Sequence, residues 1–97
     1  MENVIIPLWL FRARKIVPRL RLLLAGLLTI TENLKSHTFK VGGSWLCNFT
    51  NRKIETINKN LHELSCMGIL NYAIEDGSIY TITINYATIQ QIKESNL

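Results

Sequence analysis

Cysteine is scarce in this sequence, and Cys47 and Cys66 form neither a Cys-x-x-Cys pair nor a metal-ligand spacing with His37 or His62. Zinc sites need three or four correctly spaced donors, so we expect no metal site. Two cysteines without a disulfide framework are typical of a reduced chain. The sequence therefore predicts a cytoplasmic protein.

Catalytic signatures are also missing. The sequence has no recognisable Ser/His/Asp set, carboxylate pair or glycine-rich phosphate loop, and Gly42 with Gly43 predicts only a turn. We therefore expect that the protein is not an enzyme, uses no cofactor and binds no small-molecule ligand.

Long hydrophobic runs are absent as well. The apolar run over residues 22–30 is half of the roughly 20 residues that a membrane-spanning helix needs, so we expect no membrane span. Basic residues flank Trp9, Phe11 and several leucines, and an interfacial helix on a membrane surface therefore stays open as an alternative. These basic residues are Arg12, Arg14, Lys15, Arg19 and Arg21.

Charge is distributed unevenly along the chain. The net charge is +4, but residues 1–60 carry +7 and residues 61–97 carry −3. Clustered charge of one sign steers partners of the opposite sign, so a basic majority indicates a face that meets a polyanion.

The residue patterns predict one domain over residues 1–97, mainly α with a small β-hairpin, an α+β fold. The predicted elements are an N-terminal arm (1–15), a first helix (19–31), a polar passage (31–43), a helix-turn-helix (44–67), a hairpin (69–85) and a C-terminal helix (87–96). Pro7 favours an extended arm, whereas Pro18 suits a first helical turn. Alternation at residues 69–74 and 78–86, around the turn EDGS, predicts the two strands of the hairpin.

The longer helix of the predicted helix-turn-helix has a clear apolar stripe. Its buried positions are Ile54, Ile57, Leu61 and Leu64, which recur at helical spacing. The opposite face is rich in basic and polar groups near its start, where something outside the domain could bind.

Capping residues predict where these two helices begin. Ser44 can cap the short helix, and Thr50 or Asn51 can cap the longer one. We expect the longer helix to begin at Asn51 or Arg52 and to end at Gly68, because glycine tolerates the left-handed conformation after a last turn.

Two stretches carry a family resemblance: WLCNFTNRKIETINKNLHELSCMGIL, and NYAIEDGSIYTITI after it. A short helix, a turn, a longer helix with early basic and amide groups, and a hairpin follow in that order. This order resembles the winged helix-turn-helix DNA-binding superfamily, with a three-helix core, a wing and a C-terminal helix. The opening NVIIPLWLFRARKIVPRLRLLLAGLLTITEN is similar to the start of winged-helix domains in phage and plasmid replication initiators. The general fold is shared with multidrug-resistance-type repressors and plasmid partition adaptors.

The resemblance implies a sequence-specific binder of double-stranded DNA, with the longer helix in the major groove. Such a protein would be a transcription regulator, or an origin or partition-site binder, of a mobile element or virus. The implied base-reading residues are Asn51, Arg52, Thr56 and Lys59, and the implied phosphate-contacting residues are Lys40, Ser44, Lys53 and Asn60.

Two further features concern protein partners. The hairpin tip carries Glu75 and Asp76, which would repel phosphate, so the wing is predicted to be short, turned away or used for protein contact. The alternative function is therefore a winged-helix protein-interaction module that does not bind DNA. We also expect a homodimer through apolar residues near the two ends of the chain: Trp9, Phe11, Ile89 and Ile92.

Overall fold

Five helices and one three-stranded antiparallel sheet make up the computed structural model, which describes residues 8–14, 16–76 and 78–95. The elements are α1 (Leu8–Phe11), α2 (Pro18–Leu34), β1 (Thr38–Gly42), α3 (Gly43–Thr50), α4 (Ile54–Cys66), β2 (Leu70–Glu75), β3 (Ile79–Ile84) and α5 (Tyr86–Ser95). The chain is compact, with a radius of gyration of 12.6 Å.

The core lies between the helices and one face of the sheet. Helix α2 buries a broad leucine-rich side, and α4 buries the stripe Ile57, Leu61 and Leu64, as its spacing predicts. The sheet contributes the inward-facing Tyr80, Ile82 and alternate residues of its other strands. Because α4 is apolar only on this stripe, its other face remains available to solvent.

Helix α2 is longer than predicted at its C-terminal end but begins as expected. Pro18 occupies the first turn, where a missing N–H costs no helical hydrogen bond. Gly26 allows α3 to approach closely, because a Cβ there would lie 2.5 Å from Phe49 Cε2. The close approach of α2 to α3 therefore depends on a glycine inside a helix, where glycine is otherwise unfavourable.

In the described part of the chain the sheet has three strands, with the order β1-β3-β2, rather than the predicted two. The hairpin β2–β3 is confirmed, but β1 lies within the passage interpreted as a polar connection and pairs Lys40 with Thr81. The alternating pattern that would mark β1 as a strand is short, because only Phe39 and Val41 alternate with polar neighbours before Gly42. Pairing with β3, which is remote in sequence, stabilises this strand.

Three capping predictions are wrong. Helix α3 begins at Gly43 after the extended Gly42, so Ser44 is not its N-cap. The hydroxyl of Thr50 donates to the carbonyl of Leu46, and Asn51 ends α3 in the left-handed conformation, which asparagine tolerates. Helix α4 consequently begins at Ile54. The predicted C-terminal end of α4 is confirmed in part. The helix ends at Cys66, two residues before Gly68, but Gly68 adopts the expected positive φ, 77°.

The two ends of the described chain pack onto the core. Residues 8–11 form α1 rather than an extended arm, and the guanidinium of Arg21 donates to the carbonyls of Ala13 and Ile16, which ties the following segment to α2. The predicted arm residues 1–7 and Lys15 lie outside the described residues. The C-terminal helix is confirmed as α5.

The apolar edge of α5 is buried inside the protein. Ile89 and Ile92 belong to the core, and Trp9 is partly buried beneath the ammonium group of Lys93, 5.2 Å from its ring centroid. Ile89 and Ile92 are therefore too buried to form the predicted dimer surface, whereas Trp9 is only partly buried and its role in a dimer stays a prediction. The side chain of Phe11 lies outside the description.

Candidate nucleic-acid interface

An exposed basic surface surrounds the start of α4. Arg52, Lys53 and Lys59 are exposed, and Thr56 lies half-buried between them. We call these four residues the α4 N-terminal surface. Within the described ranges, none of its three cations forms a salt bridge, and Glu55, four residues before Lys59, makes no ion pair with it. The three positive charges are therefore available to an external anion.

The first turn of α4 adds a second source of positive potential. Lys53 is its N-cap in an extended conformation, and its side chain makes no capping hydrogen bond. The backbone N–H groups of a first helical turn have no partner inside the helix. Together with the helix dipole they favour an anion such as phosphate at this end.

Two side-chain contacts fix the orientation of α4. The hydroxyl of Tyr80, on β3, donates a hydrogen bond to the amide oxygen of Asn58. Burial raises the pKa of Tyr80, so its hydroxyl keeps the proton that it donates. On α2, Arg19 pairs with Glu63 at 2.6 Å and offsets a negative charge on the exposed side of α4. Sequence reasoning missed both contacts, since each joins elements far apart in sequence.

Asn60 is not a phosphate contact. Its side chain is only 3% exposed, and its Nδ2 atom has no hydrogen-bond partner among the described residues. Its position gives the physical reason: Asn60 follows Ile57 by three residues and precedes Leu64 by four, which places it within the buried stripe. That spacing was the signal that could have found it.

Replacing Asn60 by leucine should therefore stabilise the protein. Removing a buried amide without a partner recovers its desolvation cost, and we expect Asn60→Leu to raise the free energy of unfolding by about 1 kcal/mol. Urea unfolding measures this change. Asn58→Leu is the matched control, and it should lower stability because Tyr80 then loses its acceptor. If Asn60→Leu and Asn58→Leu lower the free energy of unfolding equally, the amide of Asn60 is not a buried group without a hydrogen-bond partner.

Lys40 is engaged by the hairpin tip. Its ammonium group donates to Glu75 Oε2 at 3.1 Å, and the Thr81 hydroxyl donates to Glu75 Oε1 at 3.1 Å. The hydrogen bond from Lys40, assisted by that from Thr81, holds the pKa of Glu75 below its ordinary value. Glu75 thus offsets the charge of the lysine that was predicted to contact phosphate, and a phosphate must compete with this carboxylate for Lys40.

The contact between Lys40 and Glu75 predicts that the stability of the protein depends on pH. Because the pKa of Glu75 is lowered in the folded state, its contribution to stability is present above the unfolded pKa and lost as the pH falls through the folded pKa. We expect Glu75→Gln to lower the thermal midpoint at neutral pH and to have less effect at about pH 3. Glu32→Gln, at an exposed carboxylate that forms no salt bridge with the described residues, is the control and should not lower the thermal midpoint. An equal shift from Glu75→Gln at both pH values would exclude the ionised contact as its cause.

The remaining predicted site residues occupy the neighbouring turn and helix. Ser44 is exposed in the first turn of α3, and Asn51 is exposed in the turn that joins α3 to α4. Asn51 directly precedes the α4 N-terminal surface in the chain. It is therefore positioned to extend that surface, although it caps a different helix from the one expected.

No other class of site emerges from residues 8–14, 16–76 and 78–95. They contain no group of three or more histidine, cysteine, aspartate or glutamate residues arranged to hold a metal ion. None of their helices combines the length and apolar character needed to cross a membrane.

Comparison with known proteins returns no match: no protein-family model, no curated protein and no solved structure is significantly similar to the chain.

Proposed function

We propose that this protein binds double-stranded DNA in a sequence-specific manner through the α4 N-terminal surface. The observation that carries the proposal is a group of three exposed cations that form no salt bridge with the described residues and lie at the uncapped start of an amphipathic helix. Duplex DNA presents a dense line of phosphates, and lysine and arginine that neutralise them supply most of the affinity.

The order of the elements supports the same proposal. Helix α2, strand β1, helices α3 and α4 and the hairpin β2–β3 follow one another as in a winged helix-turn-helix, and the strand order β1-β3-β2 is compatible with that arrangement. In the proposed arrangement α3 and α4 are the helix-turn-helix, with the turn at residues 51–53. Helix α4 then enters the major groove with its first residues toward the bases.

Each residue of the surface has a distinct proposed role. Arg52 can bind guanine through two hydrogen bonds, and Thr56 can contact a thymine methyl group or a phosphate. Lys53 contacts phosphate and fixes the register without reading sequence. Lys59, implied above to read bases, lies five residues after the first residue of α4, and we assign it to a phosphate instead. Such a reader would act as a transcription regulator, or at a replication origin or partition site.

Binding to another protein is the alternative to DNA binding. The exposed Glu75 and Asp76 at the hairpin tip, beside Ile74 with 46% of its surface exposed, favour contact with a protein rather than with phosphate. On this alternative the protein is an interaction module that does not bind DNA.

Salt dependence distinguishes the two functions. We expect fluorescence-anisotropy titration with a pool of random duplexes to give measurable binding that weakens steeply between about 50 and 200 mM salt, because each neutralised phosphate releases counterions. Binding too weak to fit even at the lower salt concentration would exclude the DNA proposal and favour the interaction module.

A further inference from the structure

Among the described residues, no strand pairs with the outer edge of β2. In the order β1-β3-β2, strand β3 is central and β2 has a neighbour on one side only. We propose that β2 pairs antiparallel with β2 of a second copy of this chain, which joins the two sheets about a two-fold axis at Ala73. This proposal is independent of DNA binding.

The register identifies which backbone groups point outward. The N–H of Asn85 donates to the carbonyl of Ile69 at 2.8 Å, and the same antiparallel register pairs Asn71 with Thr83 and Ala73 with Thr81. Hydrogen-bonded and non-bonded pairs alternate along such a ladder. The N–H and C=O groups of residues 70, 72 and 74 therefore face away from β3.

These outward groups lack partners within the described part of the chain. No turn, loop or cap hydrogen bond reaches the backbone groups of Leu70, Tyr72 or Ile74. Unpaired edges invite pairing with another strand, and proteins often block them with proline or lysine. Strand β2 contains neither residue, whereas the other edge strand, β1, carries Lys40.

The side chains of β2 favour another β2 as the partner. With Ala73 on the two-fold axis, Asn71 lies opposite Glu75 of the second copy, and the same pair recurs on the other side of the axis. Asn71 forms no side-chain hydrogen bond with the described residues. Its amide can donate to Glu75 of the second copy, because each oxygen of that carboxylate accepts one hydrogen bond, from Lys40 or Thr81, and keeps a second lone pair. On the opposite face Tyr72 lies opposite Ile74 of the second copy, so apolar meets apolar.

Registers shifted toward the hairpin tip lose this complementarity. Moving the axis to Ile74 places Tyr72 opposite Asp76 of the second copy, and moving it to Glu75 places two carboxylates opposite each other. Like charges in directly opposed positions are destabilising. With the axis at Ala73, the outward N–H and C=O groups also meet their hydrogen-bond partners, because Tyr72 of one copy and Ile74 of the other form a hydrogen-bonded pair.

Disulfide trapping tests the register directly. In a Cys47→Ser/Cys66→Ser background, Ala73→Cys should form a covalent dimer on mild oxidation, because opposed residues of a non-bonded pair lie within disulfide distance. Asn71→Cys and Glu75→Cys should each stay monomeric alone and cross-link when mixed. Cross-linking of Asn71→Cys with itself, or no cross-linking in the Ala73→Cys protein, would overturn the proposed register.

Sedimentation equilibrium tests the edge without cysteine chemistry. We expect the wild-type protein to be a dimer and Ile74→Lys to be a folded monomer by circular dichroism, because the charge interrupts the apolar pair with Tyr72. Ile79→Lys is the matched control, since Ile79 is also exposed but lies on the central strand. A wild-type monomer at every concentration, or a dimer that Ile79→Lys disrupts as strongly as Ile74→Lys, would overturn the proposal.

Discussion

Replacing Arg52 and Lys59 together by alanine should weaken binding to the preferred duplex by about a hundredfold. The lost bidentate contact of Arg52 with a base is worth about 1–3 kcal/mol, and the lost phosphate contact of Lys59 weakens binding further. The dependence of the logarithm of affinity on the logarithm of salt concentration should also become shallower, by about one unit for each lost phosphate contact. Anisotropy titrations at several salt concentrations measure both changes.

The control for this variant removes the same charge elsewhere. Arg14 and Lys35 are exposed, lie outside the α4 N-terminal surface and form no salt bridge with the described residues. The Arg14→Ala/Lys35→Ala protein should retain most of its affinity, since only the distant field of the protein changes. If it loses as much affinity as the Arg52→Ala/Lys59→Ala protein, net charge rather than a defined surface accounts for binding.

Replacing Leu61 by alanine should lower the free energy of unfolding by about 2–5 kcal/mol. Leu61 is fully buried in the stripe that anchors α4, and truncation removes transfer free energy and leaves a cavity. Urea unfolding followed by circular dichroism measures the change. A loss of this size is a large fraction of the stability of a small domain.

The same substitution at an exposed leucine is the control for Leu61→Ala. Leu34, at the end of α2, is 59% exposed, and we expect Leu34→Ala to change stability by less than about 0.5 kcal/mol. Equal effects at Leu34 and Leu61 would contradict the placement of the α4 stripe in the core.

The sequence could predict the elements that are marked by a regular residue pattern over many neighbouring positions. The stripe of α4 repeats over three turns, and the hairpin combines alternating residues with a turn around Asp76, so both were predicted with nearly correct bounds. Strand β1 could not be predicted in the same way. Its two inward residues, Phe39 and Val41, are too few to distinguish a strand from a polar loop, and its hydrogen bonds come from β3.

The candidate site was predictable where exposure follows from helical spacing. Arg52, Lys53 and Lys59 are exposed as their positions indicate, while Asn60 was misassigned because its residue type was given more weight than its spacing. The engagement of Lys40 by Glu75 could not be predicted, since it depends on the unpredicted strand β1. Likewise, the prediction that Ile89 and Ile92 lie in a dimer interface depended on α5 being unpartnered, and α5 instead packs on the core.

Selection of bound duplexes from a random pool, followed by sequencing, tests the central claim that the α4 N-terminal surface reads DNA. We predict that the wild-type protein enriches a defined motif and that Arg52→Ala loses preference at one base pair of that motif, while Lys53→Ala weakens binding to all sequences alike. Recovery of the same motif, with unchanged preference at every position, by the Arg52→Ala protein would contradict the assignment of Arg52 as a base reader. Failure of the wild-type protein to enrich any sequence would contradict the central claim itself.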